Sequence, residues 1–373
     1  MFDRRLLQHF DWGLLGVTLL LGCVGLMTLY SAVTAGVPAP QKILYIKQLI
    51  WYCFGLFAMI VSFLFNYRML DRWAYVIYAI CILLLIAVLF VGNYAGGARR
   101  WLIFGPVSIQ PSEIVKIAVI IILSRYYSKL ANIRGLALRE LIYPLILTIV
   151  PFVLIVKQPD LGTAIMVVLI AVSMTIFVKI EKRSFVYIIA FCTVIIPLVL
   201  YFLKGYQKNR ILTFLNPDRD PLGAGYHIIQ SKIAVGSGMI SGKGFLKGTQ
   251  NALSFLPEQH TDFIFSVLSE EWGFLGSLIV IMLFFMLIVM GLNIAYKCRD
   301  SFGTILSMGI TAMIFWQAFI NIGMVMGLMP VVGIPLPFIS YGGSSILTTM
   351  ICIGILMNIS MRRFITEARS PNF

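Results

Sequence analysis

Ten stretches of about twenty apolar residues recur along this chain. A helix of that length is what it takes to cross the roughly 30 Å hydrocarbon core of a bilayer. The stretches are 12–34, 46–65, 73–91, 112–130, 141–156, 161–178, 185–203, 263–294, 303–328 and 343–361. Hydrophobic residues make up 60 % of the sequence and charged residues 12 %. A water-soluble domain carries about a quarter charged residues, so both that class and disorder are excluded. The expected fold is an all-α integral membrane protein, a single polytopic domain over 1–373. The first stretch follows Arg4 and Arg5 but is long for the apolar core of a signal peptide, so it reads as an uncleaved span. The fifth and sixth spans are parted by Lys157-Gln158-Pro159-Asp160, which predicts a tight turn.

Charge sets the orientation. With ten spans and an inner N-terminus, 16 of the 29 Lys and Arg residues fall on inner segments. Seven of the other 13 lie in one long loop, where the positive-inside rule has little force. Both termini are therefore expected inside, and the net charge of +14 reflects topology rather than nucleic acid. The six cysteines are scattered through apolar stretches and form no CxxC pair, so neither a disulfide framework nor a thiolate metal site is indicated.

The acidic residues gather elsewhere. Glu113, Asp160, Asp218, Asp220, Glu258, Asp262, Glu270 and Glu271, eight of only 15, fall outside or at outer span ends. The loop over 204–261 is too long for a plain connector, and its apolar pairs predict short amphipathic helices over the bundle. Before the eighth span stand Glu258, His260 and Asp262. Two readings stay open for Asp262. A helix starting at Pro257 would set Glu258 and Asp262 one turn apart on one face; otherwise Thr261 or Asp262 caps the eighth span. Before the fourth span, Glu113 and Lys116 are spaced to pair, and Glu113 suits the positive end of that helix. Lys116 inside a span is costly, which leaves a structural ion pair and a polar cavity both open. The residues point to an outward-facing crevice for a substrate with an anionic head and an apolar tail.

The strings GARRWLIFGPVSIQPSEIVK, KQPDLGTA, NPDRDPLGAGYHIIQSKIAVGSGMI, FLPEQHTDFIFSVLSEEWGFLG and PLPFISYGGSS resemble the SEDS family (shape, elongation, division and sporulation) over nearly the whole chain. The wording is closer to the elongation branch than to the division branch. The resemblance implies a ten-span peptidoglycan glycosyltransferase of the bacterial cytoplasmic membrane. Such an enzyme polymerises lipid II at the outer face, beside a class B penicillin-binding protein transpeptidase and other elongation-complex membrane proteins. It puts the family's invariant aspartate on Asp262. That reaction needs one base to accept a proton from a sugar hydroxyl, with inversion at the anomeric carbon and undecaprenyl pyrophosphate leaving. Asp262 is the candidate base. Lys116, Arg100, Arg210 and Lys243 are candidates for the pyrophosphate by charge and side. Glu113 would position Lys116, and Glu258 would orient Asp262 or help hold a divalent cation, Mg or Mn. His260, Asp160 and Ser344 complete the expected substrate-binding set. No cofactor is required by the sequence, and no metal ligand set is assigned. A lipid II flippase and a non-catalytic scaffold are the competing classes. A flippase calls for polar groups through the full depth of the bilayer, and here they concentrate on the outer half, with Gln317 and Asn321 deeper.

Overall fold

The computed structural model describes residues 10–35, 42–95, 98–104, 107–130, 135–184, 186–187, 193, 205, 212–216, 224–253 and 259–362. Most of the predicted seventh span, together with Arg210, Glu258 and the Asp218/Asp220 turn, lies outside these residues. The long helices are α1 (Trp12–Thr34), α2 (Lys42–Leu64), α3 (Arg68–Val91), α4 (Pro111–Lys129), α5 (Leu138–Lys157) and α6 (Leu161–Phe177), then α9 (Ile264–Lys297), α10 (Ser301–Val325) and α11 (Gly343–Arg362). Two shorter ones, α7 (Ala224–Ser237) and α8 (Thr249–Ala252), lie in the long loop. Seven of these helices are long and apolar enough to cross a membrane.

The expectation of an all-α chain is corrected between α3 and α4. There β1 (Asn93–Ala95), β2 (Ala98–Phe104) and β3 (Val107–Ile109) form a three-stranded antiparallel sheet in the order β1-β2-β3. Short strands paired side by side satisfy each other's backbone groups without a hydrophobic run long enough to register as a span.

In the core, α2 packs along α11, α3 along α4, and α10 against α4, α6 and α9. α10 and α11 are largely buried, whereas α1, α2, α3 and α5 expose large apolar side chains such as Leu20, Phe57, Leu83 and Leu145. Water is absent at membrane depth, so every backbone carbonyl needs a partner within the protein. α5 meets this in an instructive way. Pro144 and Pro151 sit inside it and lack the N–H groups that Glu140 and Leu147 would otherwise accept from. Tyr126 of α4 donates its hydroxyl to the Glu140 carbonyl at 2.7 Å, and Tyr78 of α3 donates to that of Leu147 at 2.9 Å.

α7 lies against α9 and α10, as a helix over the bundle should. Its buried face runs Gly225, Ile228, Ser231 and Ala234, and Ser231 Oγ donates to the Val325 carbonyl at 2.6 Å.

Candidate active site

The turn 259–263 brings the chain to the start of α9. The N-cap of α9 is Phe263, with no side-chain cap bond, so neither Thr261 nor Asp262 is the capping residue. The turn is instead held by its carbonyl groups. Tyr341 N–H donates to the His260 carbonyl at 2.9 Å, Ser340 Oγ to that of Thr261 at 2.6 Å, and Asn321 Nδ2 to that of Asp262 at 2.9 Å. Three successive carbonyls are thus occupied by donors from α10 and the segment after it. The Asp262 side chain remains half-buried beside Gly333; a Cβ on Gly333 would stand 3.3 Å from its Oδ2. Gly333 has φ +74°, a conformation glycine adopts without strain.

The segment 326–342 is irregular backbone inside protein, which is where such backbone is tolerated in a membrane domain. Leu336, Phe338 and Ile339 are buried. Ser340 Oγ also accepts from Leu336 N–H at 2.8 Å, Tyr52 donates its hydroxyl to the Phe338 carbonyl, and Gln48 Nε2 donates to the Ser340 carbonyl at 3.1 Å. Burial raises the Tyr341 phenol above its usual pKa.

Asp160 ties this region to the neighbouring helix starts. It is the N-cap of α6, accepting from Thr163 N–H at 3.3 Å and Thr163 Oγ1 at 2.9 Å. It also accepts from Gln110 Nε2 at 2.9 Å and Ser112 Oγ at 3.3 Å, at the start of α4. The predicted turn between the fifth and sixth spans is present, and Arg100 holds it by donating to the carbonyls of Gln158 and Pro159. Ser344 Oγ accepts from Gln110 N–H at 3.0 Å. One turn into α6, Gly162 touches the 326–342 segment: a Cβ there would lie 2.5 Å from the Val332 carbonyl. Asp160, Ser344 and Asp262 therefore belong to one connected end of the bundle.

One turn into α4, Lys116 and Glu113 form the expected ion pair, Nζ to Oε1 at 2.8 Å. Lys116 is only 1 % exposed and Glu113 4 %, and the second Glu113 oxygen has no partner among the described residues. The pair is enclosed rather than open to a wide crevice.

Lys243 belongs to a different arrangement. α9 is broken at Gly273 (φ +66°, ψ −162°), and the stretch 238–244 supplies what the break removes. Lys243 and Gly244 donate to the carbonyls of Glu270 and Glu271 at 3.0 and 2.9 Å; Phe274 and Leu275 donate to those of Met239 and Ile240 at 2.8 and 3.2 Å. A side chain on Gly242 or Gly273 would run into the opposing backbone, so the Gly236–Gly248 glycines serve close approach. Lys243 Nζ pairs with Glu270 Oε1 at 2.7 Å, and the same oxygen accepts from Gln250 N–H and Thr249 Oγ1, each at 3.0 Å. Ser31 of α1 donates to Glu271. Lys243 is thus engaged with a buried carboxylate. Among the described residues, no three of His, Cys, Asp and Glu gather as a metal site.

A family model described as "Cell cycle protein", covering FtsW, RodA and SpoVE, matches residues 11–364. The chain is 44 % identical over 310 residues to the peptidoglycan glycosyltransferase MrdB of Escherichia coli (strain K12), covering 83 % of each. It is 34 % identical over 436 residues to the peptidoglycan glycosyltransferase RodA of Treponema pallidum, covering 96 % of this chain and 99 % of that one. Among solved structures it resembles a chain from a peptidoglycan synthase complex described as coordinating polymerization and crosslinking: TM-score 0.81, 29 % identity, coverage 95 % and 98 %. It also resembles the rod shape determining protein RodA of Thermus thermophilus: TM-score 0.70, 26 % identity, coverage 96 % and 98 %.

Proposed function

The chain belongs to the family of FtsW, RodA and SpoVE, and from that membership we propose that it is a peptidoglycan glycosyltransferase, as its relatives are named. It is a multi-pass membrane enzyme that polymerises lipid II during cell elongation. In this reading it has ten spans with both termini inside, and it works at the outer face of the cytoplasmic membrane. A class B penicillin-binding protein cross-links the strands it makes, a pairing in keeping with its likeness to a chain of a polymerising and crosslinking complex.

Asp262 is the base. It takes the proton of the acceptor 4-hydroxyl as that oxygen bonds to the donor's anomeric carbon. The bond from that carbon to the phosphate oxygen breaks, its electron pair leaves with undecaprenyl pyrophosphate, and the centre inverts. One carboxylate suffices, because no covalent sugar intermediate forms. The observation that carries this assignment is the clamped turn. Fixing three carbonyls in sequence immobilises the backbone under Asp262 while its side chain stays half-buried, which gives a base a defined position.

Lys116, with one N–H bonded to Glu113, has two more to offer the pyrophosphate, and Arg210 is the second candidate. Arg100 and Lys243 act in this scheme through the groups they already hold, the Gln158–Pro159 carbonyls and Glu270. Glu258 orients Asp262. No cofactor is assigned a step; assays with chelator and with added Mg or Mn test whether a divalent cation contributes.

The deciding experiment incubates the purified chain with lipid II and separates the products on a gel. Polymer made without a second polymerase is expected. Purified, folded protein that moves lipid II across vesicles yet makes no glycan would replace this reading with the flippase.

A further inference from the structure

We infer that Asn321 is a positioning residue for the Asp262 carboxylate, acting through Ile334 and Gly333; the inference rests on the reading of Asp262 as the base. Asn321 stands near the end of α10 and is fully buried. A buried amide in a membrane domain is costly unless its polar atoms are used. Its single nitrogen carries two N–H groups. They reach two carbonyls that the chain itself does not bring together, that of Asp262 at 2.9 Å and that of Ile334 at 2.7 Å. Ile334 follows Gly333, whose α-carbon faces Asp262 Oδ2 closely enough that a Cβ would lie 3.3 Å from it.

One planar amide therefore sets the separation between the main chain of the acid and the surface its carboxylate leans on. The other two clamps on the turn act one and two residues earlier: Tyr341 N–H on His260, and Ser340 Oγ on Thr261 while it accepts from Leu336 N–H. Of the three, Asn321 is the one that binds the Asp262 carbonyl itself and the residue next to Gly333. Asn321 Oδ1 has no partner among the described residues, so the two donated bonds are what the side chain contributes there. Among the described residues, the titratable side chains on the surrounding elements include His260 and Tyr341, with ring centroids 5.9 Å apart, His227 of α7, stacked on Phe263 at 6.0 Å, Lys232 of α7, packed against Gly327, Asp160 before α6, and Glu270 and Glu271 farther along α9.

The test uses the purified full chain with lipid II. Asn321→Leu keeps the volume and removes both donors; Asn321→Ser keeps one. Folded Asn321→Leu is expected to lose kcat by about 10²-fold, the scale of a misplaced reacting group, with KM unchanged within about threefold. The acid limb of its kcat/KM profile should shift, because the carboxylate sits in altered surroundings, and Asn321→Ser should recover part of the loss. Rates within about twofold of the parent would overturn the inference. So would a loss of equal size at every pH that tracks the folded fraction, since that is the mark of a purely structural role. Should Asn321→Leu fail to fold, Asn321→Ser and Gly333→Ala decide on the same criterion, and an unmoved acid limb in both overturns it. Asp262→Asn runs alongside. If it still polymerises, the base assignment falls and this inference with it; if it is inactive while the Asn321 variants behave as the parent, this inference alone falls.

Discussion

Two acidic regions lie within a dozen residues of each other, one at the turn before α9 and one inside that helix, and their backbones are fastened by different atoms. At the turn before α9, the fastening is done by main-chain carbonyls and the Asp262 side chain is left half-buried. At the Gly273 break, the carboxylates are the fastening: Glu270 binds Lys243, Thr249 and Gln250, and Glu271 takes the Ser31 hydroxyl. Both regions are acidic, both adjoin glycine-rich loops, and by composition nothing separates them. The difference teaches that two stretches alike in composition can be told apart by asking which atoms hold the backbone.

The sharpest way to break the contrast is to neutralise each acid in turn. Asp262→Asn should lower polymerisation by at least about 10³-fold, within the range for a general base, while thermal unfolding in detergent stays within a few degrees of the parent. Near-normal glycan synthesis by that variant would remove the distinction. Lys243→Met should act the other way round. It strips the cation from a wholly buried carboxylate, a change that costs on the order of 3 kcal/mol in buried pairs. Unfolding temperature should fall first, and activity only in proportion to folded protein. The double variant Lys243→Met with Glu270→Gln should recover much of that stability; no recovery would mean the pair is not the fastening.

Gly242→Ala probes the break through its backbone. With φ +77° and the Glu271 carbonyl directly opposite, an added methyl should cost about 1–3 kcal/mol, read as a lower unfolding midpoint. The smallest expected kinetic effect, measured per folded molecule because the change also strips the cation from buried Glu113, sharpens the role of the enclosed lysine. Lys116→Met should raise the apparent KM for lipid II about tenfold if its ammonium meets the pyrophosphate, the usual scale for one charged hydrogen bond. Unchanged kinetics would leave it only the pairing with Glu113.

Much of the helical frame is legible in the sequence because apolar runs are long and loops are charged. Trp12–Thr34 matches its predicted span at both ends, and α6 begins at Leu161 where the Pro159-Asp160 turn predicts. The early starts have one cause. α2 and α3 start at Lys42 and Arg68, earlier than 46 and 73, because a helix continues past its apolar portion and long cationic side chains reach to polar surroundings. The β1–β3 sheet is illegible because hydropathy over short strands carries no span signal. The break at Gly273 is illegible because it lies in an apolar run, and hydropathy does not report φ. In the candidate site, the pairing of Glu113 with Lys116 follows from spacing, and Asp262 from family resemblance. The threefold clamp of its turn could not be read, since it joins carbonyls to Asn321 and Ser340 from distant segments. Asn321 did leave a signal, as one of two amides, with Gln317, in an apolar span.

The two prolines of α5 carry a consequence for motion. Each bares a carbonyl at a fixed height, and Tyr126 and Tyr78 meet those heights from two different helices. Sliding α5 by one turn, about 5.4 Å, would strip both carbonyls of their partners in a medium with nothing to replace them. α3, α4 and α5 are therefore keyed to one another like a lock's wards, at two heights fixed by the two prolines.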